Sequence, residues 1–235
     1  MPRIKDIQLY VPKNKDVNWT FFHETRCITF LYSRLLPKLT AKENKGIQIY
    51  CVESPKQKEQ IDTYAHIIFD YYPVFVVINV EAILGLTSDR EKKEHTLEIV
   101  HEGMKKAAQE LNWDLSDLEE IYNNIKTTGY ENIYPLLKKS SPNKKYVCNI
   151  ICHHEVRNID VYMEVKKRNG NVINKEKLFF VENTDEQDLF SEYGSLEWKL
   201  DHKVEFADKE YNKVYRLTFL EKDKPENLIW KIDKN

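Results

Sequence analysis

His95–Asp114 reads HTLEIVHEGMKKAAQELNWD, and the fold turns on whether this stretch is a metal-binding helix or the packed face of a scaffold. A zinc-protease helix needs His-Glu-x-x-His, because residues four apart share a helix face and both imidazoles reach one metal. Here His101-Glu102 is followed by Gly103, Met104 and Lys105, so the second histidine is missing. The inverted form, His-x-x-Glu-His, is missing too. His95 and His101 lie roughly 120° apart around a helix at about 100° per residue, too far round to hold one ion. Leu97, Val100, Met104, Ala107, Ala108 and Leu111 instead form one apolar stripe. This predicts a scaffold helix with His101 at the stripe's edge, hydrogen-bonded to a sheet, and His95 in solvent. Ile99 falls off the stripe and offers an exposed contact. Gly103 inside a helix costs about 1 kcal/mol relative to alanine, so the close approach of another backbone or a bulky aromatic is expected there.

Working outward, Ser88-Asp89-Arg90-Glu91 matches a capping box and sets a helix from about Asp89 to Leu111. Asp114 or Ser116 caps a second helix, with Leu115, Leu118, Tyr122 and Ile125 at helical spacing and Gly129 as its stop. ENIYPLLKK (Glu131–Lys139) adds a further turn or two, limited by Pro135. Upstream, IKDIQLYV (Ile4–Val11) reads as a short strand. TRCITFLYSRLLPKL (Thr25–Leu39) is open: its β-branched and aromatic content suggests a strand, its Leu35-Leu36 end a helix. GIQIYCVE (Gly46–Glu53) alternates as a half-buried strand. TYAHIIFDY (Thr63–Tyr71) and VFVVINV (Val74–Val80) read as two more strands split by Pro73, the second buried on both faces.

KKSSPNKK (Lys138–Lys145) is the expected linker between a first domain, 1–139, and a second, 140–235, with a sheet shared by both left open. Beyond it the period becomes two. YVCNIICHHEV, NIDVYMEVKK, VINKEKLFFVE, SLEWKLDHKVEF, NKVYRLTFLEK and NLIWKI are strand candidates of an antiparallel meander. Asn169-Gly170 between the second and third signals a two-residue hairpin with positive φ at both turn positions. Glu182–Glu192 (ENTDEQDLFSE) reads as an exposed acidic loop. The fold class is therefore α+β: a mixed sheet packed by a long helix and a second shorter one, then an antiparallel, mostly β half.

Composition bounds the function. With 38 Asp and Glu against 36 Lys and Arg, the formal charge is −2 and gives no global footprint for nucleic acid, leaving KKSSPNKK as a local basic patch on a solvated loop. Only 6 glycines argue against Gly-rich phosphate loops, and no P-loop, Gly-x-Gly-x-x-Gly or Gly-x-Ser-x-Gly elbow occurs. The best apolar run, Ile67–Val80, is broken by Asp70 and Pro73, so no membrane span is expected. The four cysteines, Cys27, Cys51, Cys148 and Cys152, show no disulfide framework, which makes a reduced cytoplasmic protein the default.

Cys148-x3-Cys152-His153-His154-Glu155 looks like a ligand set. In an extended strand, however, Cys148 and Cys152 are about 13 Å apart, whereas two thiolates on one zinc are at most about 4.6 Å apart. Alternation is simpler: Cys148, Ile150 and Cys152 face inward, His153 and Glu155 share the outer face, and His154 turns inward. If the chain is an enzyme, His153, His154 and Glu155 are its candidate catalytic residues.

NVEAILGLTSDREKKEHTLEIVHEGMKKAAQELNWDLSDLEEIYNNI, Asn79–Ile125, resembles a helical pair of bacterial immunity-type, toxin-neutralising proteins. The shared pattern is a leucine-and-serine lead-in, a Lys/Glu-rich helix, a His-Glu-Gly element, an Asn-Trp-Asp turn and an acidic second helix. It covers about a fifth of the chain. The resemblance implies a non-enzymatic protein without cofactor or metal, whose partner is a protein toxin met on an anionic surface. Asp114, Asp117, Glu119 and Glu120 on the second helix, and Asp185, Glu186 and Asp188 in the acidic loop, are the partner-binding candidates. Two other readings stand beside it: a hydrolase or nuclease-like enzyme using His153 and His154, and a small-ligand-binding β module with an aromatic-lined cavity.

Overall fold

The computed structural model describes residues 2–65, 70–209, 212–220 and 229–234. The chain divides into two units, Met1–Asn132 with Glu155–Arg157, and Ile133–His154 with Asn158–Asn235. The division lies upstream of the expected boundary at Lys139, and no sheet spans both units.

Unit 1 opens with β1 (Asp6–Tyr10), α1 (Lys15–Leu35), β2 (Gly46–Val52), α2 (Pro55–Ala65) and β3 (Tyr71–Val77). The strands form a wholly parallel sheet in the order β1-β2-β3, not the mixed sheet expected. Thr25–Leu35, open in the sequence, is the last half of α1. Its buried hydroxyls are tolerated in a helix because each is satisfied by a carbonyl one turn earlier: Thr25 Oγ1 donates to Phe21 at 2.8 Å and Ser33 Oγ to Thr29 at 2.7 Å. Asn14 caps its start, and Leu36 is extended, as a residue before proline prefers. Thr63–Ala65, expected as strand, closes α2; His66–Phe69 lie outside the described residues.

β2 is buried along its whole length, not half-buried. Ile47, Ile49 and Cys51 face the core with α1, while Tyr50 and Val52 pack with Ile61 of α2 on the other face. β3 is an edge strand, which is why Pro73 can sit inside it and why Val77 is 53 % exposed rather than covered on both faces. The two crossovers thus move the same way across the sheet on opposite faces. They have opposite hands, and one departs from the right-handed rule. The α1 side of the sheet also carries a second helix.

That helix is α4 (Asp89–Leu111), preceded by α3 (Val80–Leu84) and followed by α5 (Leu115–Thr127). Ser88 Oγ accepts from the Glu91 amide, and Asn112 ends the helix in the left-handed region at φ 56°. Leu97, Val100, Met104, Ala107 and Ala108 are buried as the stripe predicts. Ile99, expected outside, is buried as well, between the stripe and its neighbours. Gly103 explains itself: a Cβ there would stand 2.6 Å from Ile49 Cδ1, so the missing side chain lets α4 lie directly on β2. The neighbour is an aliphatic side chain, where a backbone or an aromatic was expected. Asp114 caps α5 by accepting from the Ser116 amide, and Gly129 follows at φ 75°.

The core of unit 1 also holds Val156, from the short returning segment. Burying one valine fully is worth about 1.5–3 kcal/mol. On either side of it, Lys93 Nζ pairs with Glu155 and Arg157 Nε reaches Asp89 at 3.9 Å.

Unit 2 contains two antiparallel meanders. The first is β4 (Asn132–Ser140), β5 (Tyr146–His154), β6 (Ile159–Lys167) and β7 (Val172–Val181). ENIYPLLKK is therefore strand, not helix: β4 is an edge, which tolerates Pro135, and Asn132 and Tyr134 alternate inward. KKSSPNKK is the end of β4 and a tight turn into β5, not a linker. At Asn169-Gly170 only Gly170 has positive φ, 95°, and the hairpin closes as a turn followed by a bulge. α6 (Glu186–Glu192) then leads into β8 (Tyr193–Leu200), β9 (Lys203–Asp208), β10 (Val214–Leu220) and β11 (Ile229–Lys234). SLEWKLDHKVEF is thus two strands around an Asp201-His202 turn. Aromatic rings from both meanders meet: Tyr146 lies edge-on to Phe219 at 5.0 Å, and Phe179 stacks on Tyr193 at 4.9 Å and on Tyr215 at 5.1 Å.

Gly103→Ala is expected to destabilise unit 1 by about 1–3 kcal/mol through overpacking, despite alanine's better helix propensity. In an Ile49→Ala background the same substitution should cost nothing. Urea denaturation of the four proteins of this double-mutant cycle checks it; a more stable Gly103→Ala single variant would sink the packing argument.

Candidate functional site

His101 is buried within the helical layer, while His95 is exposed. Its partners are helices, not the sheet. Nδ1 lies 3.2 Å from the Tyr32 hydroxyl of α1, and Nε2 lies 3.3 Å from Glu119 of α5. The ring stacks on Tyr122 with centroids 4.3 Å apart. One neutral tautomer satisfies both contacts: Nε2–H donates to the carboxylate and Nδ1 accepts from the phenol. Burial pushes the imidazole pKa down; Glu119 pulls it up, Lys105 pushes it down, and the net result is below the ordinary value. Glu119 is held below the usual carboxylate range by Lys105 at 3.2 Å and by His101. The arrangement clamps α1, α4 and α5 together.

The second set does not converge. His153 and His154 are neighbours on β5 and point to opposite faces; His154 is fully buried, with its ring 6.4 Å from Tyr134. On the outer face, the Lys175 ammonium lies 2.8 Å from His153 Nε2, so that nitrogen serves as an acceptor. Asp160, opposite His153 in the ladder, pairs instead with Lys177 at 2.8 Å. Glu155 belongs to unit 1. Cys148 and Cys152 face inward, fully buried, and burial pushes the Cys148 thiol pKa up. None of the four cysteines is in a disulfide. Among the described residues, no group of three or more His, Cys, Asp or Glu side chains is placed to hold a metal. No helix among them is long and apolar enough to cross a membrane.

The acidic candidates separate into two kinds. Glu186 is fully buried, because Glu182–Glu192 is not an exposed loop: Thr184 and Leu189 are buried beside it and Glu186–Glu192 is helical. Asp185 caps that helix at the Gln187 amide, and Asp188 accepts from Asn183 at 2.6 Å. On α5, Glu119 is committed to His101 and Lys105, and Asp114 to its cap. Asp117 and Glu120 remain exposed, with no hydrogen bond or ion pair among the described residues. With Asn124 they rim a groove of about 200 Å³ whose floor is Leu35, Pro37 and Ile121. Leu35 and Pro37 come from the end of α1 and just beyond it, which no local motif connects to α5.

A second crevice lies where ligands of parallel sheets bind, beyond the carboxyl ends of the strands. Glu53, Val77, Ile78 and Asn79 line it. Beside it Lys13 Nζ bridges Glu53 and Glu81, each at 2.9 Å, which raises the Lys13 pKa. This triad ties the segments that follow β1 and β2 to the first turn of α3, which follows β3, and its members are too far apart in sequence to form a motif.

Because the folded pKa of His101 lies below its unfolded value of about 6.5, the unfolded chain binds the extra proton first as pH falls. Stability from this site is therefore present above pH of about 6.5 and is lost as pH drops through the folded pKa. Urea midpoints between neutral and mildly acidic pH should fall for the natural chain and fall less for His101→Gln; parallel curves would show that His101 is not the titrating group. No family model matches the chain, and no curated protein or solved structure matches it.

Proposed function

We propose that the chain is a protein-binding, non-enzymatic protein of bacterial immunity type, which neutralises a toxin by occupying part of its surface. The observation that carries this is the α1–α5 groove. It combines an apolar floor (Leu35, Pro37, Ile121) with two carboxylates, Asp117 and Glu120, that no residue of the chain neutralises among those described. Leu115, on the first turn of α5, is 37 % exposed, as is Leu35. A groove of this kind takes an apolar side chain from a partner whose surrounding surface is basic, and opposite charges steer the encounter. A basic toxin, such as one that acts on nucleic acid, has that surface. One wall of the groove, α5, lies within the Asn79–Ile125 stretch that carries the resemblance to immunity-type proteins, which supports the same reading.

Co-expression with the toxin encoded beside its own gene should keep cells growing, and the purified pair should bind. Asp117→Lys with Glu120→Lys should weaken that binding by about tenfold or more, mostly through slower association at low salt, while the melting temperature stays near that of the natural chain. Growth arrest in the presence of the intact chain, together with no binding, overturns the proposal.

A further inference from the structure

One strongly charged surface of unit 2 plays no part in the reading above. The β4–β5 turn carries Lys144 and Lys145, the β6–β7 turn carries Lys167 and Arg168, and these four cations line one open cleft of about 420 Å³ with Tyr146 and Asn169. No carboxylate lines it. Lys144, Lys145 and Arg168 are exposed and have no ion pair among the described residues. Among the described residues, two acids close to these turns are already engaged: Asp201 accepts from the Asn143 amide at 2.9 Å, and Glu164 pairs with Lys166 at 3.0 Å.

The cations stand on a rigid frame. The Arg168 amide donates to the Lys145 carbonyl at 2.9 Å, joining the two turns. The first turn is closed by the Lys144 amide on the Ser141 carbonyl and the Lys145 amide on Asn143 Oδ1, both at 2.9 Å. The second is closed by the Gly170 amide on the Lys167 carbonyl at 2.9 Å. Lys144 holds φ at 59°, a region that a lysine seldom adopts. Beneath them Tyr146 is buried edge-on to Phe219. Lys144, Lys145 and Arg168 are like charges gathered at one cleft while the chain as a whole carries −2, so this basic face is a local arrangement rather than a reflection of overall charge.

We propose that this cleft binds the phosphodiester backbone of a nucleic acid, without preference for base sequence. Several cations at once, one of them an arginine that can grip a phosphate with two N–H groups, match a chain of phosphates. The cleft is open, whereas a small anion is held by enclosure. A membrane surface is matched less well, because peripheral anchoring adds an inserted apolar face to the charges, and no apolar residue other than Tyr146 lines this cleft.

The test is fluorescence anisotropy of labelled single-stranded and duplex oligonucleotides with the full chain. At physiological salt, dissociation constants on the order of 10⁻⁶–10⁻⁴ M are expected, tightening as salt falls, with log K falling against log salt at a slope of about −3 for some three phosphate contacts. Lys144→Glu/Lys145→Glu/Arg168→Glu should weaken binding by about tenfold or more and flatten the slope. The triple reversal Lys5→Glu/Lys38→Glu/Lys56→Glu, which changes net charge equally in unit 1, should leave binding within about twofold once salt screens the long-range field. If the first triple variant fails to fold, the glutamine versions of its three residues read the same loss. No binding at low salt, equal losses in the two triple variants, or binding to phosphatidylserine vesicles without binding to oligonucleotides each overturns the proposal.

Discussion

Unit 1 depends on one absent methyl group. Because Gly103 has no Cβ, α4 rests against Ile49 and takes the face of the sheet over β2 and β3. Covered there by α4 and on the other side by α2, β2 becomes a strand with no exposed residue. The same seating brings His101, two residues before Gly103, against Tyr32 of α1 and Glu119 of α5. A helix held farther from the sheet would lose the strand's burial and the clamp together.

Unit 1 also buries more charge than a core of its size needs. Arg26 is 1 % exposed, donating to Asp6 at 2.8 Å and to the Ile7 carbonyl at 3.1 Å, with its guanidinium over Phe22 and Phe30. Lys92 and Lys93, adjacent on α4, are buried and paired with Glu24 and Glu155. Buried pairs of this kind contribute little net stability but penalise any packing that separates them. They fix which helix lies where, while the apolar groups supply the driving force. Asp117 and Glu120 contrast with them: same unit, same charge type as Glu24 and Glu155, and no cation paired with them among the described residues.

What was legible in the sequence follows from whether the signal is local. The Ser88 cap, the α4 stripe and the close approach at Gly103 are all written within a few residues, and so is the inward alternation of Cys148, Ile150 and Cys152. The misread segments depend on distant neighbours. ENIYPLLKK has helical-looking leucines and lysines, but its place at a sheet edge decides for strand and makes Pro135 harmless. Thr63–Ala65 has strand-like residues and is set in a helix. Glu186 looks like surface until Thr184 and Leu189 fold over it. The α1–α5 groove was half visible: Asp117 and Glu120 stood out as an acidic helix start, whereas Leu35 and Pro37 come from a segment whose own structure was open. The basic cleft was half visible in the same way, as KKSSPNKK without its partner turn.

The return of Glu155–Arg157 into unit 1 has a consequence for how the chain can be made. The first unit's own sequence ends at Asn132, yet its core holds Val156 and its buried Lys93 is matched by Glu155. A ribosome must therefore deliver all of β4 and β5 before unit 1 can close. Until then unit 1 lacks Val156 in its core and the carboxylate that pairs with Lys93. The domain boundary is thus a poor place to cut: a fragment ending at Asn132 has every helix and strand of the unit and still lacks the three residues that complete it.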